Sequence, residues 1–299
     1  SLDPAPAGRP YPQEIFEGLK AYRHDDGSIW TFRPEENAKR MVGSSHRLAL
    51  PVLEPDDFVQ AVDELVKVDQ RWVPEAGSEK SLYLRPFMIA TEAFLGVRPA
   101  NKVGYYVIAS PAGAYFKGGV QPVSIWLSED YSRAGKGGTG AAKTGGNYAA
   151  SLLPQSEAYE NECDQVVFLD QDRNIEELGG MNIVFVYKDG TIVTPQSDSI
   201  LEGITRDSLL QLARDRGHHV VGRNVSLTEW REGVASGDIV EVFACGTAAV
   251  VTPIGTLKGK DFIDEQPSGT LALELRQELT DIQYGRAEDK HGWLYRLDA

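Results

Sequence analysis

Residues Gly135-Lys136-Gly137-Gly138-Thr139-Gly140-Ala141-Ala142-Lys143-Thr144-Gly145-Gly146 place two lysines in a glycine-rich loop, ahead of a helical pattern that begins near Asn147. Glycine lets backbone approach a bound group closely and adopt positive φ, so a lysine held there can be presented to a ligand. Two chemistries use such a loop. One is a phosphate cradle of the Walker type; the other is a lysine that forms an imine with the aldehyde of pyridoxal phosphate (PLP). The Walker pattern needs Gly directly before the lysine and Ser or Thr after it. Lys143 follows Ala142, and Lys136 precedes Gly137, so neither satisfies it. Val166-Val167-Phe168-Leu169-Asp170 does resemble a Walker-B strand, which keeps a P-loop-like ATPase as an alternative. By itself the loop does not exceed the ordinary reading, a surface loop with solvated lysines.

Composition removes other classes. Among 299 residues, 30 are basic and 44 acidic, a net charge of -14 that opposes non-specific binding to nucleic acid or to an anionic membrane. Hydrophobic residues make up 41%, without an apolar run long enough to cross a bilayer, which predicts a soluble globular protein of one large or two ordinary domains. Only Cys163 and Cys245 occur, too few for a disulfide framework, so a reduced cytoplasm is the expected compartment. His24, His46, His218, His219 and His291 have no metal-ligand spacing with the cysteines, and no metal is expected.

The elements that must position the loop read as two α/β domains, 1–113 and 123–299, joined by a glycine-rich linker at 114–122. Lys20 to Tyr22 and Ser28 to Phe32 flank Asp25-Asp26-Gly27 as a hairpin. Pro34 starts a helix with Glu35 and Glu36 in its first turn, and a second helix spans Pro55 to Asp69 with Phe58, Val62, Leu65 and Val66 on one face. Strands are predicted at Ser81 to Thr91, Val103 to Ser110, Val123 to Leu127, Gln165 to Leu169, Met181 to Tyr187, Thr191 to Thr194, His219 to Asn224 and Ile239 to Phe243. Further helices are predicted at Asn147 to Asn161, Thr205 to Arg216, Leu227 to Ser236 and Leu271 to Tyr284.

Several blocks along the chain carry a resemblance. They are Phe16-Glu17-Gly18-Leu19-Lys20-Ala21-Tyr22, Leu82-Tyr83-Leu84-Arg85-Pro86, Leu95-Gly96-Val97, Tyr115-Phe116-Lys117-Gly118-Gly119, Lys143-Thr144-Gly145-Gly146-Asn147-Tyr148, Glu176-Glu177-Leu178-Gly179-Gly180-Met181-Asn182, Leu201-Glu202-Gly203-Ile204-Thr205-Arg206 and Phe243-Ala244-Cys245-Gly246-Thr247-Ala248. In order and spacing the chain resembles the class IV PLP-dependent aminotransferases, and within them the branched-chain amino-acid aminotransferases. That resemblance implies a two-domain α/β (α+β) fold-type IV enzyme. Its smaller N-terminal domain would lack its first segment here, and the cofactor would lie where that domain meets the larger one. It further implies a homodimer with shared active sites that exchanges amino groups between Leu, Ile or Val and 2-oxoglutarate. A D-amino-acid aminotransferase or an aminodeoxychorismate lyase is the alternative on the same fold.

The resemblance also implies roles. Lys143, not Lys136, is the catalytic lysine. A carboxylate must stand beside the pyridine nitrogen of PLP; adjacent strand residues point to opposite faces, so one of Glu176 and Glu177 reaches it, and the family match selects Glu177. Tyr148 matches the phenol that hydrogen-bonds O3′. Arg40, the backbone amides of Ile204 and Thr205, and Thr247 match the phosphate ligands. The substrate α-carboxylate would meet the amides of Thr247 and Ala248, with Tyr11, Tyr83 and Arg85 around it, and Arg85 would also serve the distal carboxylate of glutamate. Phe16, Phe116, Tyr148 and Gly180 would line the side-chain pocket, together with Leu95 and Val97 from the other subunit.

Overall fold

A computed structural model describes residues 11–113 and 119–297; Phe116 and most of the expected linker lie outside them. Contacts gather the chain into two compact units, Ser1–Tyr115 with Ala142–Gly146 and Thr280–Ala299, and Phe116–Ala141 with Asn147–Leu279.

The first unit is built on an antiparallel sheet: β1 (Glu14–Phe16), β2 (Leu19–Arg23), β3 (Ile29–Phe32), β4 (Ser81–Ala90), β5 (Val103–Ala112) and a C-terminal strand, Leu294–Arg296. β4 is its hub. β5 pairs with it along all ten residues, while β1 and β2 pair with successive stretches of its other edge. The β2–β3 hairpin turns at Gly27, whose φ of 87° explains the glycine of the Asp-Asp-Gly signal. Helices α1 (Pro34–Arg47) and α2 (Pro55–Asp69) each begin on proline with two acidic residues in the first turn, as their sequences predict. Their buried Met41, Phe58, Val62 and Val66 join Ile15, Leu19, Leu82, Leu84 and Met88 in one core. Alternation along β4 follows from the strand period of two: Leu82, Leu84 and Met88 enter that core, so Tyr83 and Arg85 stand together on the opposite face.

The second unit holds a nine-stranded mixed sheet of β6 (Val123–Ser128), β7 (Gln165–Leu169), β8 (Ile175–Leu178), β9 (Asn182–Tyr187), β10 (Ile192–Thr194), β11 (Val220–Gly222), β12 (Ile239–Gly246), β13 (Val250–Gly259) and β14 (Phe262–Glu265). The order is β11-β10-β9-β12-β13-β6-β7-β8, with β14 against β13. β7 and β9 are continuous apolar runs because both of their faces are covered. Among the described residues five helices lie in or extend from this unit: α3 (Gly145–Ala150), α4 (Leu152–Glu160), α5 (Ile204–Asp215), α6 (Leu227–Ser236) and α7 (Leu271–Gln283). Trp230 of α6 is fully buried edge-on against Phe185 of β9. The Ser226 hydroxyl caps α6 by accepting from Glu229 N.

Two departures from the sequence expectation have physical causes. The single helix expected at Asn147 to Asn161 is divided at Ser151 into α3 (Gly145–Ala150) and α4. Pro154 has no N–H, and in a continuous helix its ring would clash with the carbonyl of Ala150. β13 is a strand that the sequence expectation lacks, and it carries Pro253 and Gly255, two residues that argue locally against one. Pairing with β12 on one side and β6 on the other overrides that local preference.

Candidate active site

Lys143 belongs to the first unit, where main-chain bonds fix it. Phe16 N donates to Lys143 O at 3.0 Å, and Lys143 N donates to Ser44 Oγ at 2.9 Å. Next to it, Thr144 Oγ1 donates to Glu14 O at 2.8 Å and Gly145 N to Glu14 Oε1 at 2.5 Å. A Cβ at position 145 would overlap that carboxylate and oblige the Glu14 side chain to shift, breaking this bond. The period of two that buries Ile15 leaves Glu14 and Phe16 on the other face of β1. Lys143 Nζ lies 5.1 Å from the Phe16 ring centroid, and the Arg85 guanidinium carbon lies 4.7 Å from the same ring. Arg85 Nη2 also donates to Tyr83 OH at 3.1 Å. Four expected residues, Phe16, Tyr83, Arg85 and Lys143, are thus brought together.

Arg40 sits one turn before Ser44 on α1. Its Nε and Nη2 grip Glu17 Oε1 and Oε2 at 2.8 and 2.7 Å, the planar two-point pairing that guanidinium favours. Glu17 is fully buried and also accepts from Asn37 Nδ2 at 2.8 Å. Burial pushes its pKa up, but Arg40, Lys143 and Asn37 outweigh that, and the net shift is downward. Glu17 had no role in the sequence expectation. Its signal was an acidic residue set between the apolar Phe16 and Leu19.

Tyr11 OH donates to the carbonyl of Leu95. The loop that follows β4 is tied at its base by Glu92, which pairs with Arg98 at 2.7 Å and accepts from Asn101 N at 2.7 Å. Leu95 and Val97 at its tip are 78% and 86% exposed, which rules out a place in this chain's core.

In the second unit, Glu177 lies near the end of β8. It accepts from Leu201 N at 2.9 Å and Asn182 Nδ2 at 3.1 Å, and pairs with Arg133 Nη2 at 2.6 Å. Asn182 also donates to Leu201 O, and a Cβ on Gly203 would overlap its Oδ1. Gly203 is the N-cap of α5 and offers no side chain to its first-turn amides, which leaves Ile204 and Thr205 at an uncapped helix N-terminus, a setting that favours an anion. β9 starts at Asn182, paired with Cys245 near the end of β12, so the Gly246-Thr247-Ala248 turn falls at the same end of the sheet. Tyr148 lies on α3, anchored by reciprocal bonds between Thr139 and Asn147 at 2.7 and 2.8 Å. Ser151, whose hydroxyl donates to Tyr148 O, packs beside Gly179, two residues beyond Glu177. Gly180 sits in the turn from β8 to β9, where Leu178 N donates to Met181 O.

The competing pair lies elsewhere. Lys136 and Glu176 both line a cavity of about 810 Å³ with Glu129, Asp130, Asp170, Asp172 and Asp198. That many carboxylates repel a phosphate, and Glu176 is itself engaged by the Ser199 hydroxyl. Among the described residues no group of His, Cys, Asp and Glu is arranged to hold a metal, and no helix is long and apolar enough to cross a membrane.

A family model of amino-transferase class IV matches residues 14–257. A branched-chain-amino-acid aminotransferase of Mycolicibacterium smegmatis is 56% identical over 99% of this chain and 83% of its own length. The chain belongs to the branched-chain-amino-acid aminotransferases of class IV. Solved members of the family share its fold. The T.th. branched-chain amino acid aminotransferase, in a structure with pyridoxamine 5'-phosphate, matches 99% of this chain and 93% of its own with a TM-score of 0.84 at 30% identity. The same enzyme has been solved with N-(5'-phosphopyridoxyl)-L-glutamate and with 4-methylvaleric acid, each at a TM-score of 0.83 and 29% identity. Each unit carries donors of the kind the family's cofactor needs: the first a lysine set in place by its backbone, the second an uncapped helix terminus suited to a phosphate and a buried carboxylate suited to a protonated ring nitrogen.

Proposed function

We propose that the protein transfers amino groups between branched-chain L-amino acids and 2-oxoglutarate with PLP as its cofactor. Bound, PLP supplies an aldehyde that accepts the amino group and a ring that draws off the electrons released at the substrate α-carbon. The observation that carries the reading is the placement of Lys143 by three consecutive anchored residues over Phe16, beside Arg85 and Tyr83.

The chain's own residues then have these tasks. Lys143 Nζ takes the proton from the substrate α-carbon and returns it at the cofactor C4′ carbon. Glu177 holds the proton on the ring nitrogen, and Tyr148 OH hydrogen-bonds O3′. Arg40, the amides of Ile204 and Thr205, and the Thr247 hydroxyl hold the phosphate. Thr247 and Ala248 amides bind the α-carboxylate, with Tyr11, Tyr83 and Arg85 orienting it. Phe16, Tyr148 and Gly180 would meet the side chains of Leu, Ile and Val, and Arg85 would take the distal carboxylate of glutamate; Phe116, expected beside them, lies outside the described residues. The relative's complexes with a phosphopyridoxyl-glutamate and with a branched aliphatic acid support a site of this dual character.

The test is a donor panel in single half-reactions, followed by cofactor absorbance. L-Leu, L-Ile, L-Val and L-Glu are expected to react, with L-Phe slower and D-Ala inert. Reaction with D-Ala ahead of the branched L-amino acids would sink the proposal in favour of a D-amino-acid enzyme.

The exposure of Leu95 and Val97 supports a homodimer in which each loop closes the partner's pocket. Mixing Lys143→Ala subunits with Val97→Asp subunits is therefore expected to restore activity that neither has alone, since one hybrid site keeps both an intact lysine and an intact loop. Exchange verified by mass spectrometry without recovery would remove the shared site.

A further inference from the structure

Resting on the reading of Glu177 as the partner of the ring nitrogen, we propose that Arg133 is the residue that positions Glu177 and supplies the counter-charge it needs. Nothing in the motif blocks points to Arg133. It lies between β6 and the glycine-rich loop, and its side chain and that of Glu177 are each only 5% exposed. A buried carboxylate without an opposite charge beside it is costly. Among the bonds Glu177 accepts, those from Leu201 N and Asn182 Nδ2 come from neutral donors, and Arg133 brings the cation.

The same Nη2 that pairs with Glu177 at 2.6 Å also donates to Gly140 O at 2.8 Å and Ser199 O at 2.7 Å. One nitrogen therefore ties the end of β8 to two loops. Gly140 must be glycine for this, because a Cβ there would overlap the Ser199 backbone. Ser199 and Leu201 flank Ile200, so the 199–201 segment is held by Arg133 at one end and donates to Glu177 at the other. The glycine at this point of the loop serves a close backbone approach around Arg133 rather than a phosphate. Arg133 Nε has no hydrogen-bond partner among the described residues, so the grip is concentrated at one terminal nitrogen. An ammonium, with three donors on one nitrogen, can reproduce much of such a grip.

The experiment is a double-mutant cycle on the full enzyme, with Arg133→Met, Glu177→Gln, the double variant and Arg133→Lys. Two measurements are made: turnover over a range of L-Leu concentrations, which gives kcat and KM, and the dissociation constant of PLP from the apoenzyme by fluorescence titration. Arg133→Met is expected to slow kcat by about 10–100-fold, the range found when an outer partner of a functional group is removed, with KM for L-Leu little changed and PLP bound more weakly. The double variant should be within about threefold of Glu177→Gln alone, because coupled residues do not add. Arg133→Lys should recover most of the loss. If Arg133→Met is not recovered folded, Arg133→Gln takes its place with the same criteria. Wild-type rate and PLP affinity in the Arg133 variant, effects that multiply in the double variant, or a loss confined to KM would overturn the inference while leaving Glu177 in its role. Glu177→Gln with unchanged rate and affinity would overturn both.

Discussion

Lys143→Ala enzyme is expected to fold and to bind PLP, yet to lose the half-reaction with L-Leu by at least about 10²–10⁴-fold, the contribution of a positioned proton-transfer group. Folding should survive because the bonds that fix position 143 run through its backbone, from Phe16 N to Lys143 O and from Lys143 N to Ser44 Oγ. Alanine keeps both. PLP binding should survive because the proposed phosphate donors, Arg40, the α5 terminus and Thr247, are elsewhere in the chain. In the unmutated protein, borohydride is expected to fix the cofactor covalently to Lys143. Peptide mapping settles which lysine carries it. A label on Lys136, which instead lines the acidic cavity with Glu176, would replace the whole site assignment.

Glu177→Gln should be the second large effect, and Glu176→Gln its control. Glutamine at 177 can still accept from Leu201 N, but it carries no charge to hold a proton on the ring nitrogen, and it leaves Arg133 buried without its paired anion. Breaking one side of a buried pair costs about 3–5 kcal/mol, so the loss of half-reaction rate should come with a lower urea midpoint. Glu176 behaves differently. Burial pushes its pKa above 4.5, the Ser199 hydroxyl and Arg133 only partly oppose this, and Asp170 adds to it. A carboxyl whose folded pKa is raised contributes stability below its unfolded pKa and loses it as pH rises through the folded one. Glutamine mimics the neutral form, so Glu176→Gln should be active, and at pH 7 no less stable than the parent in the same urea titration. Normal turnover by Glu177→Gln with failure of Glu176→Gln would shift the assignment by one residue.

Much of this was legible in the amino-acid sequence. The period of two along β4 puts Tyr83 and Arg85 on one face whatever the rest of the chain does, and Pro34 and Pro55 mark both helix starts because their fixed φ suits a first turn. The motif blocks in their order were enough to identify the family, and they name Lys143 and Glu177 as the groups to test. Two local signals compete after Tyr148, where an apolar helical pattern runs on but the missing N–H of Pro154 divides it. β13 shows the opposite case: its proline and glycine read as breakers until two neighbouring strands pair with it.

What only the tertiary structure decided was the set of counter-charges. Arg40 meets Glu17, which stands 23 positions earlier in the chain, Glu177 meets Arg133 from a different loop, and Asn182 joins Glu177 to the segment that leads into α5. No spacing rule predicts such pairs, since each partner is supplied by a separate element and the requirement for it arises only on burial. The sequence alone determined which groups can do the chemistry, because that depends on residue type and local period. The tertiary structure determined which of them have their charges compensated and their positions held, because those depend on what folding brings within about 3 Å.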